Sequence, residues 1–380
     1  MKLLPATWGP KRTVSLRIFT LVFFFALGGP LILSASDWKQ AIGPWNWSFP
    51  RDHGSHPDFR TEWWYFTGNL SDPSGKRFGY QLTFFRQGVV FEVKNPSNPW
   101  SMRDLFLAHF TLTDVSGGRF TYAERLSRGG PGLSGAARSR MDVWLLNWSA
   151  RMEKNRIRIG AKDRAMEVAL ELTPKKPLVF HGQNGLSKKG PMEGQASYYF
   201  SYTDLETTGL IKSPTLSTPL VVKGGSWFDH EFGSNPLASN QVGWDWFSLH
   251  LSNGQDLMIY FLRRSDGSVE PSSSGTLVSS DGRATNLKFS DVTVEVLDHW
   301  KSPKSGGMYP SRWNIEIPAA QVKLSIAPLL AGQELVSERL TGMVYWEGAV
   351  GGKGRSRGQD VACEGYVEMT GYAGSLAGFF

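Results

Sequence analysis

Residues 61–86 read TEWWYFTGNLSDPSGKRFGYQLTFFR, and this stretch decides the class of fold that the chain predicts. Residues 61–70 are rich in aromatic and β-branched side chains, which favour β-strands. Residues 72–75 supply a turn, and residues 78–86 then continue the aromatic pattern. The stretch therefore predicts two strands separated by a turn.

Short strand-like segments separated by turn residues continue along the remainder of the chain. Residues 166–172 alternate apolar and other side chains, which is the period of a half-buried strand. Asn253 and Gly254 lie between the apolar runs 244–251 and 257–264, and Asn-Gly is a strong hairpin signal. Convincing amphipathic helices are absent from the pattern, so the sequence predicts an all-β sandwich or barrel, which periodicity alone does not separate. Further strands are predicted over 105–114, 119–124, 142–151, 156–159, 269–279, 284–289, 292–296, 312–317, 322–328, 341–348 and 365–370.

Composition limits the classes of partner. Apolar residues make up 41% of the chain and aromatic residues 13%, with 15 Trp, which suits ligand cavities and carbohydrate surfaces as well as cores. The net charge is +7, but Lys2, Lys11, Arg12 and Arg17 all precede residue 37. The rest of the chain has 37 basic against 34 acidic residues and no basic run interleaved with aromatics. Nucleic acid is therefore excluded as an expected partner.

Residues 1–36 have the order of a secretory signal. Lys11, Arg12 and Arg17 precede an apolar run over 18–33, and the small residues 34–36 follow it. The uninterrupted apolar stretch is short for a membrane-spanning helix. We therefore expect export to the periplasm or the medium, with retention of the segment as a membrane anchor as the alternative.

Residues 49–66 are the first segment that predicts chemistry. His53 and His56 have a spacing compatible with metal binding, but Pro57 disfavours the helix that would align them, so we predict no metal. Glu62 precedes two Trp residues, and a carboxylate among aromatic rings can have a raised pKa and donate a proton. The alternative is an ordinary strand residue that pairs with Arg60 or Arg86.

Residues 224–234 form the second segment, in which three ionisable residues stand between aromatic pairs. In a strand, Asp229 and Glu231 share one face and His230 takes the other. Two acids this close can have pKa values that differ strongly, as acid–base chemistry requires. A polar turn on a barrel rim is the alternative.

Residues 243–250 form the third segment. As a strand it points Trp244 and Trp246 one way and Asp245 the other, so Asp245 is either a rim residue or a functional acid. Residues 345–348 offer a similar pairing of aromatic rings with a carboxylate. The chain lacks a Gly-x-Ser-x-Gly motif, a P-loop and a His-Glu-x-x-His motif, and its single cysteine, Cys363, forms no intrachain disulfide.

Several of these segments together resemble the carotenoid 1,2-hydratase (hydroxyneurosporene synthase) family, in its exported, lipocalin-like branch. The resemblance is carried by HPDFRTEWWY at 56–65, AHF at 108–110, WFDHEFGS at 227–234, YWEG at 345–348 and GYVEMTGY at 365–372. It implies two tandem lipocalin-like (calycin-type) antiparallel β-barrel domains. After the signal or anchor of residues 1–36, these domains are expected over residues 37–234 and 235–380.

The resemblance also implies cofactor-free addition of water to an isoprenoid double bond. Protonation of the alkene creates a carbocation, which aromatic faces stabilise and water captures. Asp229 and His230 are the first acid–base candidates. The full set implied is Asp229, His230, Asp245 and Glu62 for acid–base chemistry, with Trp64, Trp227, Glu231, Trp244, Trp246 and Tyr345 as ligand-binding residues.

Three functions stay open from the sequence. The first is a hydratase or related lyase, and the second is a non-catalytic carrier of hydrophobic ligands. The third is a secreted hydrolase. The expected partner is in each case a hydrophobic small molecule such as an isoprenoid or lipid, and association with a membrane surface is left open.

Overall fold

The chain was analysed as a computed structural model, which describes residues 37–95, 97–98, 100–234, 237–337 and 340–374. Within these ranges the secondary structure is 23 strands and three single-turn 3₁₀ helices, Arg51–His53, Phe289–Asp291 and Pro318–Ala320. The predicted all-β class is therefore confirmed. The predicted signal segment, residues 1–36, lies outside the described residues. No helix in the described ranges is long and apolar enough to cross a membrane.

Thirteen strands form the first sheet. They are β1 Thr61–Ser71, β2 Arg77–Gly88, β3 Asp104–Asp114, β4 Arg119–Arg128, β5 Ser134–Ala136, β6 Asp142–Leu145, β7 Trp148–Glu153, β8 Arg156–Asp163, β9 Met166–Pro174, β10 Val179–Phe180, β11 Leu186–Lys188, β12 Ala196–Lys212 and β13 Leu220–Gly233.

Ten strands form the second sheet. They are β14 Gln241–Leu251, β15 Asp256–Arg264, β16 Ser274–Val278, β17 Ala284–Lys288, β18 Thr293–Lys301, β19 Met308–Ile317, β20 Val322–Pro328, β21 Glu334–Val336, β22 Val344–Ser356 and β23 Gln359–Thr370.

Each sheet is antiparallel, and in each sheet the last strand along the chain returns to pair with the first. In the first sheet β13 pairs with β1, so that Trp64 lies opposite His230. In the second sheet β23 pairs with β14 in the same way. The first sheet curls until β6 approaches β2, β3 and β4. Both sheets thus enclose a barrel-like interior.

Side chains alternate between the barrel interiors and the faces where the two sheets meet. The interior of the first barrel includes Trp64 and Trp148, and that of the second includes Trp313 and Trp346, all almost fully buried. A third apolar cluster, which includes Tyr199 and Trp246, lies between the sheets. The period-2 alternation predicted for residues 166–172 is confirmed by the burial of β9.

Three local predictions differ from the structure. The single strand expected over 142–151 is a hairpin, because Leu146 adopts a left-handed conformation (φ 57°) and reverses the chain. The strand expected to end at Gly348 continues to Ser356 through three glycines. At Gly352 a side chain would meet the Ser325 carbonyl oxygen at 2.1 Å, so close strand approach explains the glycine there. Residues 212–223, which contain Pro214 and Pro219 and by sequence could be a crossover between the two halves of the chain, instead hold the end of β12, the start of β13 and the short connection between them in the first sheet.

The described residues from 37 onward form one compact unit that contains both sheets. The first sheet ends at Gly233 and the second begins at Gln241. The division into two domains at residue 234 stays a prediction.

Gly79 on β2 lies at a point of close packing between the two sheets. A Cβ there would lie 2.7 Å from the Cβ of Ala349 and 2.9 Å from the hydroxyl of Tyr366, both on the second sheet. We expect Gly79→Ala to lower the free energy of unfolding by about 1–3 kcal/mol, because the sheets must separate to admit it. Urea denaturation measures the change.

The matched control is Gly225→Ala on β13, where a Cβ meets nothing within 4 Å. Its free energy of unfolding is expected to stay within about 1 kcal/mol of the parent. The alanine side chain has room in the folded protein, and it reduces the conformational entropy of the unfolded chain. Equal effects of the two substitutions would contradict close packing at Gly79.

Candidate functional site

The candidate site is a cavity between the two sheets, bounded by the outward faces of both barrels. It encloses about 780 Å³, counting the open solvent at its mouth. Half of the residues that line it are aromatic, and four carboxyl groups and one ammonium group face it. The lining residues are Trp63, Tyr65, Gln81, Phe85, Lys189, Tyr199, Asp229, Glu231, Leu237, Trp244, Trp246, Tyr260, Leu262, Tyr345, Glu347 and Glu368.

Strand alternation decides which predicted residues reach this cavity. On β13, Asp229 and Glu231 face it, while His230 points into the first barrel. The predicted first pair, Asp229 and His230, is therefore not brought together in one site. The other predicted residues that line the cavity are Trp244, Trp246 and Tyr345. Trp227 lies directly behind, in the apolar cluster between the sheets.

Asp229 is fully buried at the cavity wall and accepts three hydrogen bonds. Tyr199 donates to it at 2.7 Å, the Trp227 indole N–H at 2.6 Å, and the Ser201 hydroxyl donates as well. Burial raises the pKa of Asp229 to about 7, and the three hydrogen bonds limit that rise. Both protonation states of Asp229 are therefore accessible near neutral pH.

His181 holds the Ser201 hydroxyl behind Asp229. Its Nε2 lies 2.7 Å from the Ser201 Oγ, and its Nδ1 lies 2.8 Å from the Thr276 Oγ1 on the second sheet. Burial lowers the pKa of His181 to about 3, so the ring is neutral. This chain of contacts fixes the orientation of the Asp229 carboxyl group.

Glu347 and Glu368 form a second acidic group in the cavity. They lie directly opposite each other on β22 and β23, and the Tyr65 hydroxyl donates to Glu347 at 2.7 Å. Burial, followed by the nearby Glu368, raises the pKa of Glu347 well above its usual range. Burial raises the pKa of Glu368 to about 8. At neutral pH this pair therefore holds protons.

Glu62 lies inside the first barrel, away from the cavity, in a buried ion-pair network. Arg86 Nε contacts its carboxylate at 2.9 Å, His56 Nδ1 at 2.8 Å and His230 Nε2 at 3.0 Å. These partners outweigh burial and hold the pKa of Glu62 well below its usual range. Of the two alternatives for Glu62, the structure shows the pairing with Arg86.

His56, Glu62 and His230 also place three potential metal ligands within 4.8 Å of one another. Arg86, however, already sets a positive charge against the same carboxylate. Both ring nitrogens of His56 are engaged, by Glu62 and by Asp52. The donor set is thus arranged for ion pairs, and a cation would have to displace them. The arrangement does not fit a metal site.

Trp64 and Asp245 are not among the residues that line the cavity, and each contacts other protein side chains. Trp64 stacks on His230 inside the first barrel, with ring centroids 4.9 Å apart. Asp245 lies on the face of β14 opposite Trp244 and Trp246, where Arg263 contacts it at 3.2 Å and the Tyr372 hydroxyl donates at 2.9 Å. A buried acid is costly unless it is paired, and these two contacts pair Asp245.

Several cavity residues are not predicted by the sequence. Tyr65 shares a face with Trp63 on β1, and alternation could have predicted it. Tyr199 and Tyr260 lie on strands that contain several aromatics, so nothing in their local pattern distinguishes them. Lys189 follows the three-residue strand β11 and carries no local signal.

The family of the chain follows from a match over nearly the whole described length. The AttH-like family model matches residues 40–372. The chain belongs to the AttH-like family. A solved structure of a candidate AttH protein from Nitrosomonas europaea is 34% identical, with a TM-score of 0.78, over 88% of this chain and 99% of that one. No curated protein matches the chain.

Kievitone hydratase from Nectria haematococca shares the fold of this AttH-like chain. It is 15% identical, with a TM-score of 0.67, over 89% of this chain and 97% of that one. A protein named CghA is 11% identical, with a TM-score of 0.51, over 82% of this chain and 88% of that one. The predicted lipocalin-like fold is thus confirmed, whereas carotenoid 1,2-hydratase activity stays a prediction.

The buried network predicts a pH window of greatest stability. The pKa of His56 is raised above 6.5 by Asp52 and Glu62 against the effect of burial, so its contribution is complete below pH 6.5 and is lost as pH rises through the raised value. The pKa of Glu62 is lowered from 4.5, so its contribution is lost only as pH falls below that value. The network therefore contributes most between about pH 4.5 and 6.5.

The measurement is the melting temperature from pH 4 to 9 for the parent and for His56→Gln. We expect the difference between the two proteins to be largest inside this window and to shrink above pH 6.5. A difference that stays constant with pH would show that His56 is not charged in the folded protein.

Proposed function

We propose that this AttH-like protein adds water to a carbon–carbon double bond of a small apolar molecule of isoprenoid type, bound between its two sheets. The observation that carries the proposal is the set of acids Asp229, Glu347 and Glu368, all with raised pKa values, in a cavity walled by aromatic rings. Acid hydration needs a neutral acid in a dry site. The fold shared with kievitone hydratase supports the reaction class by analogy.

The acids divide by their surroundings into a donor and an acceptor of protons. The Glu347–Glu368 pair keeps its protons at neutral pH because it is buried and its members are close together. The pKa of Asp229 is about 7, against about 8 for Glu368, and three donors already stabilise the Asp229 carboxylate. We therefore assign the proton donor to the Glu347–Glu368 pair and the base to Asp229.

The reaction then balances without a cofactor. A carboxylic acid of the pair transfers its proton to the less substituted alkene carbon, which forms a C–H bond and leaves a tertiary carbocation and a carboxylate. The faces of Trp244, Trp246 and Trp63 stabilise the cation by roughly 0.5–2 kcal/mol each. Water attacks the cation and gives its proton to Asp229, and transfer of a proton from Asp229 back to the pair restores the starting state.

We expect Glu368→Gln to lower the rate of hydration by about 10²–10⁴-fold, because the variant loses one acid of the donor pair. The assay incubates the protein with a panel that runs from a prenylated arene to an acyclic carotenoid, in ¹⁸O-labelled water. Mass spectrometry detects the gain of one labelled water.

Glu364→Gln is the matched control, since Glu364 is on the same strand but is partly exposed and pairs with Arg77 at 3.4 Å. It should retain the parent rate. Binding of a panel member by the parent without any conversion would remove the hydratase proposal and leave a carrier of hydrophobic ligands.

The two acidic groups also predict a bell-shaped dependence of rate on pH. Activity requires Asp229 ionised, above its pKa of about 7, and Glu368 protonated, below its pKa of about 8. The maximum is therefore expected near pH 7–8. In Asp229→Asn the acid limb should disappear along with most of the rate. A parent rate that rises steadily toward low pH would instead make Asp229 the proton donor.

A further inference from the structure

Lys189 brings a positive charge to the wall of the cavity. Its side chain is about 8% exposed, and Glu231 contacts its Nζ at 3.0 Å. Burial lowers the pKa of Lys189, but the charges of Glu231 and neighbouring groups outweigh it and raise the pKa above its usual value. The side chain is therefore an ammonium group throughout the physiological range.

The ammonium group has more donors than the protein uses. A lysine ammonium carries three N–H donors, and within the described part of the chain Glu231 is its one ion-pair partner. Its Nζ lies 4.1 Å from the ring centroid of Tyr260 and 5.3 Å from that of Tyr199. The faces of both rings attract its positive charge. A donor is thus left for a molecule in the cavity.

The backbone on either side holds Lys189 in place. Its N–H donates to the Gln195 carbonyl at 2.8 Å, and its own carbonyl accepts from the Gln241 side chain at 2.7 Å. The carbonyl of Lys188 accepts from the Tyr260 hydroxyl. These contacts join the loop after β11 to both sheets, so the ammonium group is preorganised before a ligand arrives.

Lys189 and the Glu347–Glu368 pair line the same cavity from different parts of the fold. Lys189 contacts Tyr199 on β12, whereas Glu347 accepts from Tyr65 on β1, and β13 lies between these strands. A molecule bound in the cavity can therefore contact both the ammonium group and the acids.

We propose that Lys189 donates a hydrogen bond to a neutral carbonyl or phenol oxygen of the ligand, while the double bond of the same ligand faces the acid pair. The placement of the double bond rests on the proposed function. A neutral acceptor is favoured over a carboxylate because Glu231 already balances the ammonium charge, and the ionised form of Asp229 would repel a ligand carboxylate in the same cavity. Ligands that are pure hydrocarbons, carotenes among them, lack this contact.

The test compares three ligands of one shape by isothermal titration calorimetry. They are 2-acetylnaphthalene, which has the carbonyl, 2-isopropylnaphthalene, which lacks it, and the anionic 2-naphthoate. We expect the parent to bind the ketone about tenfold more tightly than the hydrocarbon and at least as tightly as the carboxylate, as for a hydrogen bond to a charged group. Equal affinities for ketone and hydrocarbon would overturn the proposal.

The variant is Lys189→Met combined with Glu231→Gln, which removes the ammonium group without leaving Glu231 unpaired. It should bind ketone and hydrocarbon equally, while the control Lys188→Met, an exposed neighbour, keeps the preference. If the double variant still binds the ketone more tightly than the hydrocarbon, a group other than Lys189 binds the ketone oxygen, and the proposal is overturned.

A crystal structure of the parent with the ketone makes the test independent of how the variant folds. The ketone oxygen should lie within about 3.2 Å of the Lys189 Nζ, and an oxygen placed elsewhere overturns the proposal. All these readouts are of binding. A preference for the ketone without hydration of any alkene would support the role of Lys189 and at the same time remove the proposed reaction.

Discussion

The antiparallel pairing of β1 with β13 is the constraint on which the rest of the structure depends. It joins two halves of the first sheet whose paired residues are about 170 positions apart in sequence, and it sets Trp63 opposite Glu231 and Tyr65 opposite Asp229. Because side chains alternate along a strand, the same pairing sends Trp64 and His230 inward. One register thus builds the barrel interior on one face and half of the cavity on the other.

The molecule buries carboxyl groups in two different ways. Inside the first barrel, Glu62 stays ionised because Arg86 and two histidines surround it. In the cavity, burial and the nearby carboxyl groups raise the pKa values of Glu347 and Glu368, so these acids keep their protons. An ionised carboxylate needs partners in a medium of low polarity, and a neutral acid needs far less. The first arrangement suits stability, whereas the second leaves protons available to a ligand.

The location of the cavity between the barrels distinguishes this chain from a simple ligand-binding barrel. The interiors of both barrels are filled by aromatic and aliphatic side chains, Trp64 and Trp313 among them. The space for a ligand lies where the outward faces meet, and each sheet contributes acids and rings to it. Relative position of the two sheets, and hence packing at Gly79, therefore controls the geometry of the site.

The sequence by itself determined the all-β class, most strand positions and the separation of Asp229 and Glu231 from His230, because these follow from local propensity and period-2 alternation. Only the tertiary structure decided which faces meet. Glu62 is 168 residues from His230 and Tyr65 is 282 residues from Glu347, and no local pattern encodes such contacts. Lys189 lies in a loop after a short strand, and only the tertiary fold brings its ammonium group to the site. The burial of each acid and its hydrogen-bond and ion-pair partners set its pKa, and both arise only when the two sheets have formed and packed together.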